Sequence, residues 1–304
     1  MNILMIANMR SGLGDPGLYD FVRELGEHGA EVTLRFLRED VDLGHLLRDA
    51  TGYDRVVASG GDGTVSSVVY ALRNTGIPVM PYPAGTANLI AHNLNMPTEP
   101  VELARLALEG TPVALDIGEL DIDNGVGFLM VAGAGFDADL VEKARDLKPI
   151  IGEGAYLLAA IQNLQPTMST FFITLDGTQI VTEGIAVMLV NLARIQFDLS
   201  VTHGSDAQDG LLEVVVVKTR SVAGLLPAVW AALLDRLGDH APRPGLEIHS
   251  AREISIRTEP PLPVQADGDL LASRTPISAR VLPGAALMVL PADALPRDAY
   301  ATSE

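Results

Sequence analysis

The sequence contains no cysteine among its 304 residues. This excludes disulfides and thiolate metal sites and fits a reducing compartment, so we expect a cytoplasmic protein. Basic residues are also scarce, because 21 Lys and Arg face 39 Asp and Glu and give a formal net charge of −18. Nucleic acid is therefore excluded as an expected partner, since its binding needs a basic surface. The same charge opposes tight docking on anionic lipid.

Long hydrophobic runs are missing as well. The longest apolar stretch, residues 225–234, is interrupted by Pro227 and is too short to span a bilayer. The first residues, MNILMIAN, enter a strand pattern without a basic leader, so no signal peptide is expected. An apolar share of 48% with 20% charged residues is typical of a globular protein. The length suits one large domain or two ordinary ones.

Residues 54–88 are the most informative stretch. A predicted strand at 56–58 runs into GGDGT at 60–64, and the apolar spacing that follows predicts a helix. A second predicted strand, 77–80, ends in the small residues PAGT at 83–86. Glycines after a strand allow close ligand approach, and a helix N-terminus favours an anion such as phosphate. Because ligands bind at the carboxyl ends of strands in open α/β sheets, the two turns together predict a phosphate site.

Two side chains in this stretch have candidate roles. Thr64 sits where its hydroxyl either caps the helix or contacts a phosphate. Asp62 would repel a phosphate unless a proton, a cation or an acceptor hydroxyl lies between them. That favours magnesium handling or acceptor activation, as in phosphoryl transfer. The alternative is a tight strand-to-helix connection in which Asp62 bonds its own backbone.

The hydrophobic pattern predicts two domains. In residues 1–115, strands alternate with helices, which predicts a parallel sheet with right-handed crossovers. The predicted strands are 3–7, 31–37, 56–58 and 77–80, and the predicted helices include 20–28, 43–49, 89–94 and 101–109. Residues 116–290 are predicted to form a mostly antiparallel β-sandwich-like domain. Its predicted strands are 116–120, 127–132, 171–175, 185–191, 211–217, 253–257 and 286–290, with helical regions at 143–163 and 221–237. We expect the tail, 291–304, to join the first domain and the ligand to bind in a cleft between the domains.

GGDGT followed by PAGTAN at 83–88 resembles the diacylglycerol kinase catalytic domain superfamily, which includes bacterial lipid kinases and sphingosine kinases. NAD kinases and phosphofructokinases share a related GGDGT loop. The resemblance continues in order through the second half, and so covers nearly the whole chain. It rests there on AGFDA at 134–138, residues 152–156, Asn191, the segment DAQDGLL at 206–212 and VQADGD at 264–269. It implies an ATP-dependent, magnesium-requiring lipid kinase of phospholipid metabolism.

The resemblance also implies a nucleotide site. Its candidate residues are Asn8, Gly60, Gly61, Asp62, Gly63, Thr64, Thr86 and Asn88. Asn8 either contacts nucleotide or satisfies loop backbone groups, and Asn88 either contacts ligand or caps the next helix. The sequence departs from the family pattern at Met9, where relatives carry proline. It also departs near Leu37 and Arg38, where they carry a threonine.

Two further sites follow from the resemblance. Asp269 matches the acidic residue that acts as general base for the acceptor hydroxyl, with aspartate where relatives have glutamate. Asp62 joins it as a catalytic candidate. Asp209, with the carbonyls of Asp206 and Leu211, resembles a structural magnesium site, and the alternative is a plain β-turn. The segment RIQFD at 194–198 replaces a glycine run of the family and alters the expected acceptor pocket.

The leading interpretation is therefore a kinase that transfers the γ-phosphate of ATP to a hydroxyl of a diacylglycerol-like or long-chain-base lipid. We expect it to meet its lipid transiently at a membrane surface, without a transmembrane segment. A homodimer is possible through an exposed edge strand. An NAD kinase-type enzyme is the rival, against which the second-half segments argue. A nucleotide- or lipid-binding protein without turnover is the third interpretation.

Overall fold

The computed structural model describes residues 1–11, 17–38, 40–135, 166–192, 194–195, 199–200, 206–219, 245–292 and 294. The predicted helical regions at 143–163 and 221–237 lie outside these residues. So do the segments 136–138 and 152–156 that contribute to the family resemblance. The described chain divides into two units. One holds residues 1–115 with the described residues from Gly284 onward, and the other holds residues 116–283.

The first unit is an α/β unit built on a parallel sheet. Its elements are β1 (Asn2–Asn8), α1 (Gly17–Glu27), β2 (Glu31–Leu37), α2 (Leu43–Leu47), a 3₁₀ turn (Ala50–Gly52), β3 (Arg55–Gly60), α3 (Asp62–Ala71), β4 (Val79–Pro83), α4 (Leu89–Asn93) and α5 (Pro100–Glu109). The strands lie in the order β2-β1-β3-β4, and all neighbours are parallel. The prediction of a parallel sheet in this half of the chain is confirmed.

Burial explains why these segments fold as they do. Residues Ile3 to Ala7 of β1 are all buried, as expected for a central parallel strand covered on both faces. Helix α1 buries Phe21, whose ring lies 4.9 Å from that of Tyr82 on β4. At the end of α5, the Arg55 guanidinium donates to the carbonyls of Ala107 and Gly110 at 2.7 and 2.8 Å. This satisfies acceptors that a helix C-terminus leaves open.

The second unit is mostly antiparallel. The remaining strands of the chain are β5 (Thr111–Leu120), β6 (Val126–Phe128), β7 (Val131–Gly135), β8 (Ser169–Leu175), β9 (Thr178–Gly184), β10 (Ala186–Val190), β11 (Arg194–Ile195), β12 (Leu199–Ser200), β13 (Leu212–Val217), β14 (Leu246–Ala251), β15 (Glu253–Glu259), β16 (Pro263–Ala266), β17 (Asp269–Arg274) and β18 (Ile277–Leu290). The chain passes from one unit to the other within β5 and again within β18. In the first unit, the end of β18 pairs in parallel with β4 through Met288 and Val79.

Two antiparallel sheets make up most of the second unit. One runs β18-β15-β8-β9, and the other runs β14-β13-β10-β7-β16-β17. Phe171, Ile173 and Ile256 of the first sheet share a buried core with Val187 and Val214 of the second. This packing is a β-sandwich, which confirms the predicted class of the second half.

Some strand predictions were wrong in detail. The predicted strand 127–132 is interrupted, because the amides of Leu129 and Met130 bind the side chain of Asp267 and not a neighbouring strand. Strands β9 and β14 were not predicted. Both carry Thr, Gln, Glu or His and expose much of their length, so their hydrophobic alternation is weak.

Among the helices that the structure describes, none is long and apolar enough to cross a membrane.

Candidate functional site

Two glycine-containing turns lie side by side at the carboxyl ends of β3 and β4. Gly60 and Pro83 are register partners at the ends of these strands, and the amide of Ala84 donates to the carbonyl of Gly60 at 3.1 Å. Helix α3 begins directly after Gly61. Its first amides, including those of Asp62 and Gly63, have no acceptor within the helix. The structure therefore brings together the two turns that the sequence singled out.

The glycines of these turns differ in whether the surrounding protein leaves room for a side chain. A Cβ on Gly60 would lie 2.6 Å from Thr64, and a Cβ on Gly85 would lie 2.4 Å from the Gly61 Cα. A side chain at Gly60 is excluded by the Thr64 side chain, and one at Gly85 is excluded by the Gly61 backbone in the other turn. A Cβ on Gly61 would meet only the Gly85 Cα, at an ordinary 3.6 Å, and Gly61 has φ −84°. Protein packing thus explains the glycines at positions 60 and 85 but not Gly61.

Asn8 and Thr64 join β1 to the first turn of α3. The Asn8 Nδ2 donates to the Thr64 Oγ1 at 2.8 Å, and the Asn8 Oδ1 accepts from the Arg10 amide at 2.9 Å. Thr64 is buried. Because Thr64 Oγ1 accepts from Asn8, its own hydroxyl proton remains available to an acceptor such as a phosphate oxygen. Asn8 shapes this corner through bonds within the protein.

Asp62 caps a helix other than its own. Its Oδ1 accepts from the amide of Ile90 in α4 at 2.7 Å. Asn88 occupies the capping position of α4, but its side chain makes no capping bond. Among the described residues, no protein donor binds the Asp62 Oδ2. One carboxylate oxygen of Asp62 therefore holds the start of α4, and the other accepts from no donor among the described residues.

Asn88 closes the second turn on itself. Its backbone is left-handed, with φ 48°, which suits asparagine. Its Oδ1 accepts from the Gly85 amide and its Nδ2 donates to the Gly85 carbonyl, both at 2.8 Å. Thr86, between them, has an exposed side chain. Thr86 is therefore exposed at the surface of the turn, while the Asn88 side chain holds the turn's backbone in place.

In the second unit, Asp269 opens β17 immediately after a two-residue turn. It is exposed and faces Ala266 across the hairpin of β16 and β17. Asp267, in the turn, accepts from three backbone amides, those of Leu129, Met130 and Val131 at 2.7, 2.9 and 3.0 Å. Sequence reasoning missed the role of Asp267, since its partners lie more than a hundred residues away.

The loop 206–211 carries two carboxylates, those of Asp206 and Asp209. The Asp206 Oδ1 accepts from the Gln208 amide at 3.0 Å, and the Asp209 Oδ1 accepts from the Leu211 amide at 2.8 Å. Burial, followed by the nearby carboxylates of Asp206 and Asp116, raises the pKa of Asp209 above its ordinary value.

The donors of this loop suit a hard cation. Carboxylate and carbonyl oxygens are the ligands that Mg²⁺ prefers, and a cation would offset the unfavourable charge on Asp209. No group of three or more acidic, histidine or cysteine residues arranged for a metal occurs in the part of the chain that the structure describes. Backbone carbonyls would therefore have to complete any site here.

Family models match both halves of the chain. Residues 2–120 match the diacylglycerol kinase catalytic domain, and residues 130–290 match the YegS C-terminal NAD kinase beta sandwich-like domain. The chain belongs to this family of diacylglycerol kinase-like and YegS-like lipid kinases.

Individual relatives agree with that assignment. A diacylglycerol kinase of Mycobacterium tuberculosis is 32% identical over 285 residues, covering 86% of this chain and 88% of that protein. An uncharacterized Synechocystis protein is also 32% identical, over 239 residues. The matched region covers 77% of this chain but only about half (54%) of that relative's length. A crystal structure of a diacylglycerol kinase from Bacillus anthracis superimposes with a TM-score of 0.74 at 24% identity, covering 96% of this chain and 97% of the other. At that identity, the superposition shows a shared fold.

Proposed function

We propose that this protein transfers the γ-phosphate of ATP to a hydroxyl group of a diacylglycerol-like or long-chain-base lipid. The observation that carries the proposal is the pair of joined turns at β3 and β4. There, Gly61 leaves backbone open at a helix N-terminus without any packing reason to be glycine. A phosphate chain is the ligand that this arrangement favours. Membership of a lipid kinase family supports the acceptor class.

In the first unit, we assign the triphosphate to Gly60, Gly61, Gly63, Thr64 and Thr86. The open amides at the start of α3 and the hydroxyl of Thr64 donate to phosphate oxygens. Asn8 and Asn88 hold the two turns in shape through the bonds described above. The second oxygen of Asp62 would help to hold the Mg²⁺ that accompanies ATP, and the metal would neutralise charge on the transferred group.

In the second unit, we assign Asp269 as the general base. It accepts the proton of the lipid hydroxyl, whose oxygen forms the new bond to the γ-phosphorus while the bond to the bridging β–γ oxygen breaks and ADP leaves. Asp269 suits this role because its side chain is exposed and makes no ion pair or hydrogen bond among the described residues. A base must be free to reach the proton that it abstracts.

We further propose that Asp209 and the carbonyls of Asp206 and Leu211 hold a separate structural Mg²⁺. The support is the chemistry of the donors and the raised pKa of Asp209, whose charge is unfavourable without a cation. Bound there, magnesium would stabilise the entry to β13 and would take no part in the transfer.

The proposal is tested by an acceptor panel. Purified protein with ATP and Mg²⁺ is offered diacylglycerol, monoacylglycerol, sphingosine, ceramide or NAD, with Asp62→Asn as the control variant. Asparagine keeps an oxygen that can accept from the Ile90 amide but removes the charge, so the fold should survive while transfer falls. A phosphorylated lipid formed by the wild type and lost in Asp62→Asn supports the proposal. A phosphorylated NAD product, or ATP binding without any product, would contradict it.

A further inference from the structure

The same tight turn occurs twice in the second unit. Asp176-Gly177 joins β8 to β9, and Asp267-Gly268 joins β16 to β17. The aspartates have φ 46° and 45°, and the glycines have φ 85° and 84°. Positive φ at both central positions defines the type I′ turn, which favours Asp-Gly and Asn-Gly. The two hairpins therefore have the same turn conformation.

At the first turn, the aspartate also fastens the hairpin to a neighbouring strand. The Asp176 Oδ1 accepts from the amides of Arg252 and Glu253 at 3.0 and 2.8 Å. The Asp176 amide donates back to the carbonyl of Glu253 at 3.0 Å. The turn is thus pinned to the start of β15 by both the side chain and the backbone.

The second turn is pinned more extensively. The Asp267 carboxylate accepts from the amides of Leu129, Met130 and Val131, and the Asp267 amide donates to the carbonyl of Val131 at 2.9 Å. Hydrogen bonds to an ionised carboxylate are stronger than neutral ones. We call these four bonds the Asp267 clamp.

The residue directly after the turn differs between the two hairpins. Gly177 is followed by Thr178, whereas Gly268 is followed by Asp269. The Asp269 side chain is exposed and has no hydrogen-bond partner among the described residues. Its carboxylate is therefore located only by the backbone that carries it, and that backbone is fixed by the Asp267 clamp on the other side of Gly268.

We propose that Asp267 is a positioning residue, which holds the turn so that the Asp269 carboxylate stays in the place where it accepts the substrate proton. This inference rests on the proposed function of Asp269. It assigns Asp267 no contact with substrate. A displacement of a reacting group by about 1 Å can lower a rate about 100-fold, so release of the clamp should act on the chemical step.

The hairpin of β8 and β9 provides a matched control. Asp267→Asn keeps the turn preference, because Asn-Gly suits a type I′ turn, but it replaces one accepting oxygen by a donor. We expect kcat to fall about 10- to 100-fold while the KM values for ATP and lipid change little. Asp176→Asn makes the same change at the other hairpin and should lower thermal stability without lowering kcat.

A second pair of variants moves the turn without touching the clamp. Gly268→Ala and Gly177→Ala each add a Cβ that meets no atom within 4 Å, at glycines with φ 84° and 85°. Both should strain their turns, and only Gly268→Ala should lower kcat. This pair keeps the inference testable if Asp267→Asn fails to fold.

Amide hydrogen exchange supplies a readout that does not depend on activity. The clamp predicts protected amides at Leu129, Met130 and Val131 in the wild type, and loss of that protection in Asp267→Asn. Loss of protection with unchanged kcat would overturn the positioning role and leave the kinase proposal standing. An equal fall of kcat in Asp176→Asn would also overturn it, since the effect would then be general instability.

Failure of the proposed function gives a different pattern. If Asp269→Asn retains full kcat, the base assignment fails, and the role of Asp267 fails with it although lipid transfer stands. If the wild type phosphorylates no lipid while its exchange pattern shows an intact clamp, the function itself is wrong and Asp267 has no base to position.

Discussion

At the scale of single residues, the glycines of the two turns fall into two groups, those where a side chain would clash and one where it would not. Gly60 and Gly85 lack room for a Cβ, whereas Gly61 has room and an ordinary φ. The sequence shows the glycines but not which neighbour excludes a side chain from each. Gly60 lacks room because of the Thr64 side chain, four residues on, whereas Gly85 lacks room because of the Gly61 backbone, 24 residues away in the chain.

This distinction predicts different outcomes for two alanine variants. Gly85→Ala places a Cβ against the Gly61 backbone and should destabilise the protein by about 1–3 kcal/mol, as overpacking does. Gly61→Ala should leave the free energy of unfolding within about 0.5 kcal/mol but should raise the KM for ATP, because its Cβ occupies the space where phosphate approaches.

Denaturant unfolding and steady-state kinetics on the two variants check this prediction. Gly29→Ala is unsuitable as a control because Gly29 has φ 77°, whereas Gly26→Ala adds a Cβ in open space at an ordinary φ. Gly26→Ala should leave the KM for ATP unchanged, and it should raise the free energy of unfolding by at most about 1 kcal/mol because Gly26 lies in α1, where alanine is favoured. An unchanged KM for ATP in Gly61→Ala would show that the ligand does not approach the backbone there.

At the scale of elements, the sequence predicted where strands and helices lie better than what fastens them. The pattern of apolar residues located β1, α3 and α5 because each buries apolar side chains. It also located β2, although no residue of β2 is fully buried. It did not show that Asp62 caps α4, that Asn88 closes its turn on Gly85, or that Asp267 interrupts the strand predicted at 127–132. The bonds of Asp62 and Asp267 join residues distant in sequence, which no local pattern encodes. Asn88 and Gly85 are only three residues apart, but the sequence left the role of Asn88 open.

Strand β14 is fastened to β9 by a charged side chain. Glu247 accepts from Lys218 Nζ at 2.8 Å and from Thr182 Oγ1 of β9 at 3.1 Å, and it contacts His249 Nε2 at 2.9 Å. The bond from Lys218, followed by that from His249, lowers the pKa of Glu247 from 4.5 to about 2. Glu247 thus links the edge strands of the two sheets of the sandwich.

A lowered pKa gives a defined pH dependence of stability. Because the folded state favours the ionised form, Glu247 stabilises the second unit fully above pH 4.5, and this contribution is lost as pH falls toward about 2. Screening of this partly exposed group limits the contribution to roughly 1 kcal/mol. At neutral pH, the measured free energy of unfolding of the wild type should exceed that of Glu247→Gln by this amount. The difference should narrow as pH falls from 4.5 toward about 2.

Glu183→Gln is the control for this measurement. Glu183 is an exposed carboxylate on β9 with no ion pair among the described residues. Its removal should leave the pH dependence unchanged. A gap between the wild type and Glu247→Gln that stays constant from neutral to acid pH would refute the role of the Glu247 charge.

At the scale of the whole molecule, the sequence predicted the class of each half. Alternating strands and helices gave a parallel α/β unit, and short strands gave an antiparallel sandwich, because these patterns depend on which faces are buried. The family models agree for both halves. The net charge of −18 fits an enzyme whose anionic nucleotide arrives with Mg²⁺, since the metal screens the phosphates.

The roles of individual side chains were less predictable. The resemblance pointed to Asp269, but no local pattern shows that the Asp267 side chain binds backbone amides while Asp269, two residues later, is exposed. The structure makes them different, and the central proposal depends on that difference.

The most direct measurement is phosphate transfer from ATP to the preferred lipid by Asp269→Asn, paired with calorimetric binding of ATP and Mg²⁺. A base supplies a factor of about 10²–10⁴ in rate. We predict a loss of transfer of at least about 100-fold, with ATP affinity close to that of the wild type, because the proposal gives Asp269 a role toward the acceptor and not toward ATP. Wild-type turnover in Asp269→Asn would contradict the mechanism.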